Sequence, residues 1–221
     1  NLYEEMGVKI FDHLRGMFSL LIYDLQTKKI LVARDQFGIK PLYVHDCNKF
    51  IIFSSEIKPI LNYLKKTNFN YHTIAEFLLL GKQDHHNTTF FNNIDSVKPS
   101  HYYKYTANGI IKKKYWSIFS NKYKKQNEKK TIDELYNLIN SKVDDYLISD
   151  RKIGVFMSSG IDSTSLASLI SNKAKYQIDS FTYDFKNNHN LGESNLAKLN
   201  AKKIGINNHK IFLTSNDVID Q

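Results

Sequence analysis

Residues Gly154–Ile170 read GVFMSSGIDSTSLASLI. The short apolar run that ends at Met157 has the pattern of a buried strand, placed at Ile153–Met157. From Asp162 to Ser171 the apolar residues recur at helical spacing. Between the two, Ser158–Ser165 holds six polar residues and one glycine in eight positions. Backbone N–H groups at a helix start lack intrahelical partners and carry partial positive charge. Small hydroxyl residues and a glycine let a phosphate approach such a backbone, so Ser158, Ser159, Gly160 and Ser163 are candidate phosphate contacts. Asp162 repels phosphate by itself, but its carboxylate oxygens suit Mg2+ held beside phosphates. An ordinary N-cap needs one such residue rather than seven. The loop has no lysine, so it is not a Walker A loop.

Downstream, strand (Ile178–Asp184), helix (Glu193–Ile204) and strand (Lys210–Leu213) continue an alternation that predicts a parallel, doubly wound sheet. Upstream, Thr131 and Glu134 form a capping box ahead of a helix whose apolar face carries Ile132, Leu135, Ile139, Val143, Tyr146 and Leu147. Ser120–Lys130, SNKYKKQNEKK, is polar, basic and aperiodic and reads as a linker. Before it the chain is rich in β-branched and aromatic runs: 17–24, 29–34, 50–55 and 101–116, the last with an Asn108-Gly109 turn. Helices are expected over 1–14, 56–63 and 71–80, with Gly81 as a C-cap and Arg34–Val44 as a tight loop.

Among 221 residues, 42% are hydrophobic, which suits one large or two small domains. The net charge of +9 is carried by lysine; Arg15, Arg34 and Arg151 are the only arginines, which argues against a nucleic-acid face. No apolar run reaches membrane-spanning length and no signal peptide opens the sequence, so a cytoplasmic protein is expected. Cys47 is the single cysteine, which excludes an internal disulfide and reads as structural. His85-His86 could ligate a metal, but adjacent residues need further ligands nearby, and a solvated loop is the expected reading. Arg34-Asp35 is expected to pin its loop as an ion pair, and Glu56 and Glu193 to act as helix N-terminal acids.

SSGIDSTS resembles the pyrophosphate loop of ATP pyrophosphatases, Ser-Gly-Gly-x-Asp-Ser. The order of LRGMFSLLIYD (Leu14–Asp24), RDQFGIKPLYV, FSSEIKPIL (Phe53–Leu61), YHTIAEFLLLG, TTFFNNIDSVKPSHYYKY (Thr88–Tyr105) and KKYWS (Lys113–Ser117) is similar to glutamine-dependent asparagine synthetases across nearly the whole chain. The resemblance implies an α+β N-terminal nucleophile glutaminase part over 1–119, a linker over 120–130, and an α/β ATP-pyrophosphatase part over 131–221, both parts incomplete. It implies a ligase that uses Mg-ATP to adenylate the aspartate side chain and ammonia from glutamine to displace AMP. Glutamine, aspartate and ATP would be its small-molecule partners, with no nucleic acid or membrane, and a homodimer is left open. Met157 and Tyr183 match positions beside the nucleotide; on residues alone Tyr183 reads equally as core.

Several positions depart from the family. Residue 1 is Asn, so the N-terminal cysteine nucleophile is absent and no catalytic residue is assigned. Arg15 stands where some members carry an acid, and Lys152 where a proline is usual. Ser159 replaces the usual second loop glycine, at a cost of about 1 kcal/mol if that position needs positive φ. The family's second acidic glycine-rich motif is not reached by Gln221, so an internal segment with little activity of its own is expected. Alternatives are a sister ligase with another carboxylate acceptor, a non-catalytic nucleotide-binding remnant, and, favoured only by charge, a nucleic-acid-modifying ATP pyrophosphatase.

Overall fold

A computed structural model describes residues 2–47, 49–83, 85–119, 127–185, 193–214 and 217. The chain divides into two units, Asn1–Tyr123 and Lys124–Gln221, with a mixed α/β composition and three sheets in all among the described residues. No described helix is long and apolar enough to cross a membrane.

The first unit opens with α1 (Leu2–Met6), which passes into a 3-10 helix over Gly7–Asp12. The sequence pattern suggested one helix over 1–14; Gly7 at φ +56° leaves the right-handed region and ends the α-helix there. Strands β1 (Ser19–Asp24) and β2 (Lys29–Arg34) then form a hairpin. Next come β3 (Tyr43–Cys47), β4 (Phe50–Ser54), α2 (Ile57–Leu64), α3 (Tyr71–Leu80) and the short β5 (Ile94–Ser96). A second hairpin, β6 (His101–Thr106) and β7 (Gly109–Lys114), closes the unit. One sheet has the order β1-β2-β6-β7 and the other β4-β3-β5, all antiparallel.

Strand β2 is buried on both sides, and the pleat decides what covers each. Leu31 and Ala33 pack with Ile10, Phe11 and Tyr102, so the N-terminal helical segment covers one face. Val32 packs with Leu42, Val44, Val97, Tyr103 and Tyr105, which joins the other face to the second sheet.

The second unit begins with α4 (Glu128–Tyr146). Its N-cap is Asn127, whose side chain accepts from Lys129 N at 2.9 Å, and not Thr131, whose hydroxyl donates to Asn127 O at 3.1 Å. The end of the stretch read as a linker is therefore the first turn of this helix, while 120–126 lie outside the described residues. Strands β8 (Gly154–Phe156), β9 (Asp179–Phe185) and β10 (Asn207–Leu213) form a parallel sheet, connected by α5 (Ile161–Lys173) and α6 (Ser194–Ile204).

The spatial order β8-β9-β10 follows the chain, so right-handed crossovers place both helices on the same face. The reversal of order that marks a doubly wound sheet does not occur among the described residues. Val155, Met157, Ala167, Ile178, Ala201 and Ile206 fill the space between the sheet and those helices. The opposite face displays Phe156, Phe181, Tyr183 and His209 as an aromatic row, with ring centroids 6.5, 5.6 and 5.3 Å apart for Phe156–Phe181, Phe156–Tyr183 and Phe181–His209.

Candidate functional site

The hydroxyl-rich loop leaves β8 at its carboxyl end. Met157 is 2% exposed and fixes that end: its N–H donates to Phe181 O at 2.9 Å and its carbonyl accepts from Thr182 Oγ1 at 2.6 Å. Ser158 then turns back onto the helix. Its Oγ lies 2.9 Å from Ser163 Oγ and accepts from Gly160 N at 3.1 Å, and its own N–H donates to Ser163 Oγ at 3.1 Å. The loop is thus closed by two hydroxyls on each other.

Gly160 is the N-cap of α5, with φ −66° and no side-chain cap; Thr164 N to Gly160 O, 3.2 Å, is its first helical bond. The N–H groups of the first turn are left uncapped, as an anion site requires. Glycine here serves close approach rather than an unusual φ, since a Cβ would sit 3.1 Å from Ser158 Oγ. Ser159 is not among the residues with positive φ, so the strain that its replacement of a glycine could have caused does not arise. Asp162 is exposed in the first turn of α5.

A cleft of about 400 Å³ opens beside the loop; Met157, Ser158, Ser163 and Tyr183 line it, while Ser159, Gly160 and Asp162 are not part of its lining. Tyr183 is 50% exposed and stacks on Phe156 at 5.6 Å, so the reading of it as core is set aside.

Two further residues join the site that pattern reasoning did not place there. Glu193 precedes α6 but makes no cap; its Oε2 accepts from Ser159 N at 3.4 Å, across the loop. Asp184, at the carboxyl end of β9, accepts from Phe185 N at 2.9 Å and from the hydroxyl of the fully buried Ser194, tying α6 to the sheet. Ligands gather at the carboxyl ends of parallel strands, and that rule was the signal for Asp184.

In the first unit, Arg34 and Asp35 pin their loop through separate sets of hydrogen bonds and not as an ion pair. Asp35 is 1% exposed and accepts from Phe37, Ile39 and Lys40 N at 3.1, 3.0 and 2.9 Å. Burial pushes its carboxyl up, but these N–H groups outweigh that and hold it below the usual carboxylate range. Arg34 donates to Lys40 O (2.8 Å), Ser96 Oγ (2.7 Å) and Val97 O (3.2 Å). Cys47 Sγ donates to Phe50 O at 3.3 Å inside a hairpin, and Arg15 donates to Asp12 O and Leu14 O at 3.1 and 3.2 Å. Asn1 lies outside the described residues. Glu56 precedes α2 without a side-chain cap.

Residues 1–116 match the family model for a glutamine amidotransferase domain, and residues 134–221 that for asparagine synthase. An amidotransferase unit followed by a synthase unit, the second with a loop and uncapped helix start beside a cleft, marks the class as a two-part amidotransferase–synthase chain. The chain belongs to the glutamine-hydrolysing asparagine synthetase family. Asparagine synthetase [glutamine-hydrolyzing] 2 of Bacillus subtilis is 31% identical over 96% of this chain and 30% of that protein. Asparagine synthetase [glutamine-hydrolyzing] 3 of the same organism is 24% identical over 99% and 38%, and Amidase chyE of Penicillium rubens 25% over 95% and 33%. The chain spans about a third of the length of these curated relatives. A solved glutamine phosphoribosylpyrophosphate amidotransferase from B. subtilis aligns over 95% of this chain and 35% of that one, at 15% identity and a TM-score of 0.31, too low to bear on the fold.

Proposed function

We propose that this chain is part of an asparagine synthase that amidates aspartate with ammonia from glutamine, through a β-aspartyl-AMP intermediate formed from ATP. Residues 1–119 would be part of an N-terminal nucleophile glutaminase domain and 131–221 the first part of an ATP-pyrophosphatase domain. The observation that carries this reading is the uncapped start of α5, presented by a hydroxyl loop at the carboxyl end of β8 beside an open cleft.

The residues fit the groups such chemistry needs. Uncapped N–H groups, Ser158, Ser159, Gly160 and Ser163 would hold the pyrophosphate part of ATP, and Met157 and Tyr183 would flank the nucleoside. Asp162 offers exposed carboxylate oxygens, the donor type that Mg2+ prefers, and Mg2+ bound there would neutralise charge on the leaving phosphates. To accept phosphate, the Ser158–Ser163 hydroxyl pair has to open and Glu193 has to release Ser159 N. The Glu193 contact is exposed and long, and the hydroxyl pair, part-buried, lines the cleft, so a ligand oxygen entering there can replace either partner. A cytoplasmic location accords with a small-molecule ligase whose described helices include none able to cross a membrane.

The test is aspartate-dependent formation of AMP and pyrophosphate by the full-length protein. Asp162→Asn is expected to lower that rate by about a hundredfold, the scale typical of one lost electrostatic contact to a developing charge. AMP formation that ignores aspartate, or an Asp162→Asn variant at the parent rate, would refute the assignment.

A further inference from the structure

We infer that Glu76, His85 and His86 form a binding site for a divalent transition-metal ion of the zinc class, separate from the phosphate loop. The sequence objection to His85-His86 as ligands was the lack of neighbours, and the fold removes it. Each of the three residues offers a ligand atom, and these atoms lie within 4.8 Å of one another. His85 Nε2 is 3.2 Å from Glu76 Oε2, and His86 Nε2 is 3.9 Å from Glu76 Oε1. His72, one turn before Glu76 on α3, brings Nδ1 to 3.7 Å from Oε2.

The backbone explains why these side chains meet. Gly81, at φ +64°, caps α3 by donating to Phe77 O at 2.8 Å and turns the chain back along the helix. The returning end is anchored by Thr73 Oγ1 to Thr88 Oγ1, 3.1 Å, and by Ser96 N to Asn87 O, 2.6 Å. The histidines thus sit on a short return held at both ends, opposite the face of α3 that carries His72 and Glu76. Successive side chains on an extended strand point to opposite sides. Here the adjacent imidazoles lie on the same side, with ring centroids 4.3 Å apart.

Two imidazoles and a carboxylate are a known zinc donor set, with bonds of about 2.0–2.2 Å and hence donor separations of roughly 3.4 Å in a tetrahedron. The His85–Glu76 pair is already at that spacing, and the others need movements of an ångström or so in exposed side chains. His86 is 58% exposed at the side chain and His72 81%, so both are free to close in, His72 or water taking the fourth position. Imidazole donors select zinc, copper, nickel or cobalt over Mg2+ and Ca2+, which prefer oxygen. The bound ion would clamp the return to the end of α3.

The test uses untagged full-length protein, stripped with chelator and titrated with Co2+. One equivalent is expected to give the intense d–d bands of a tetrahedral nitrogen–oxygen site, bleached by Zn2+ and untouched by Mg2+. Glu76→Gln and His85→Ala should each weaken Co2+ binding at least about tenfold, since even outer-shell changes at such sites cost that much. Glu76 lies on α3 and His85 on the return after Gly81, both with part of the side chain at the surface, and unchanged melting of the metal-free variants will show that they fold. His13→Ala, at an exposed histidine away from the cluster, should leave binding intact. The inference is overturned if tetrahedral bands are absent, if Glu76→Gln and His85→Ala bind as the parent does, or if His13→Ala loses as much.

Discussion

The Arg34–Lys40 loop and the Ser158–Ser163 loop both leave the end of a strand, and each mixes a carboxylate with a glycine, but they use their polar groups in opposite ways. In the first, the carboxylate and the guanidinium are spent inside the unit: Asp35 collects three backbone N–H groups, and Arg34 reaches four oxygens on two segments, Gly38 O and Lys40 O in the loop and Ser96 Oγ and Val97 O beyond it. In the second, the helix N-terminus has no side-chain cap, Asp162 is exposed, and two hydroxyls hold each other. A polar motif saturated by its own backbone is built for rigidity. One whose donors are left uncapped or weakly paired is built to be completed by something else. Both stretches stand out equally in the sequence, and only their hydrogen-bond partners separate them.

The largest stability effect should therefore fall on the first loop. Asp35→Ala leaves three part-buried N–H groups without their acceptor and should cost about 3 kcal/mol in urea unfolding of the first unit. Asp162→Asn should change stability by less than about 0.5 kcal/mol while abolishing most ATP-dependent turnover. Loss of stability from Asp162→Asn, or its absence from Asp35→Ala, would break the contrast. pH sharpens it. The Asp35 carboxyl is held below its unfolded value, so its contribution is present above that unfolded value and is lost as pH falls through the folded one. An Asp35→Asn variant should show a flatter decline in acid.

The two glycines come next. Gly38 has φ +67°, and a Cβ there would lie 2.8 Å from Pro99 Cγ and 3.0 Å from Arg34. Gly38→Ala should cost about 2 kcal/mol from the left-handed backbone and the clash together. Gly160 has an ordinary φ, and its Cβ would meet only the flexible Ser158 hydroxyl at 3.1 Å. Gly160→Ala should cost under about 1 kcal/mol in thermal melting, yet it crowds the loop where phosphate is proposed to bind. Equal costs at the two positions would mean that the second loop is as tightly specified as the first.

How legible each feature was depended on whether its cause is local. The strands β1, β2, β6, β8 and β9 and the helices α2, α3 and α6 follow from periodicity. β3 was hidden because Tyr43 and Val44 follow Gly38 and Pro41, which read as loop, and its His45 and Asp46 break any apolar run. β5, three residues long, is defined by its pairing with β3 and leaves no periodic trace. Asn127 caps α4 from within a stretch whose lysines look like linker. Glu193 reads as the N-terminal acid of a helix starting at that residue, and it stands at the N-cap of α6, but its reach to Ser159, 34 residues away, is a tertiary contact that no local pattern encodes. The same holds for Glu76 and His85: the helix cap at Gly81 was visible, but not that it folds the histidines onto the carboxylate.

The smallest expected effect tests the idea at one atom. Thr164 Oγ1 is buried without a hydrogen-bond partner among the described residues, one turn into the helix that follows the loop. A buried hydroxyl with no partner is a cost, and valine keeps its shape and similar helix propensity without the polar atom. Thr164→Val should therefore leave the melting temperature unchanged or raise it, by at most about 1 kcal/mol of added stability. If it lowers stability by that amount instead, the hydroxyl is satisfied inside the unit, and this part of the loop behaves like the Asp35 motif. If stability holds and ATP-dependent turnover falls, the hydroxyl was kept for a ligand, at the expense of the fold.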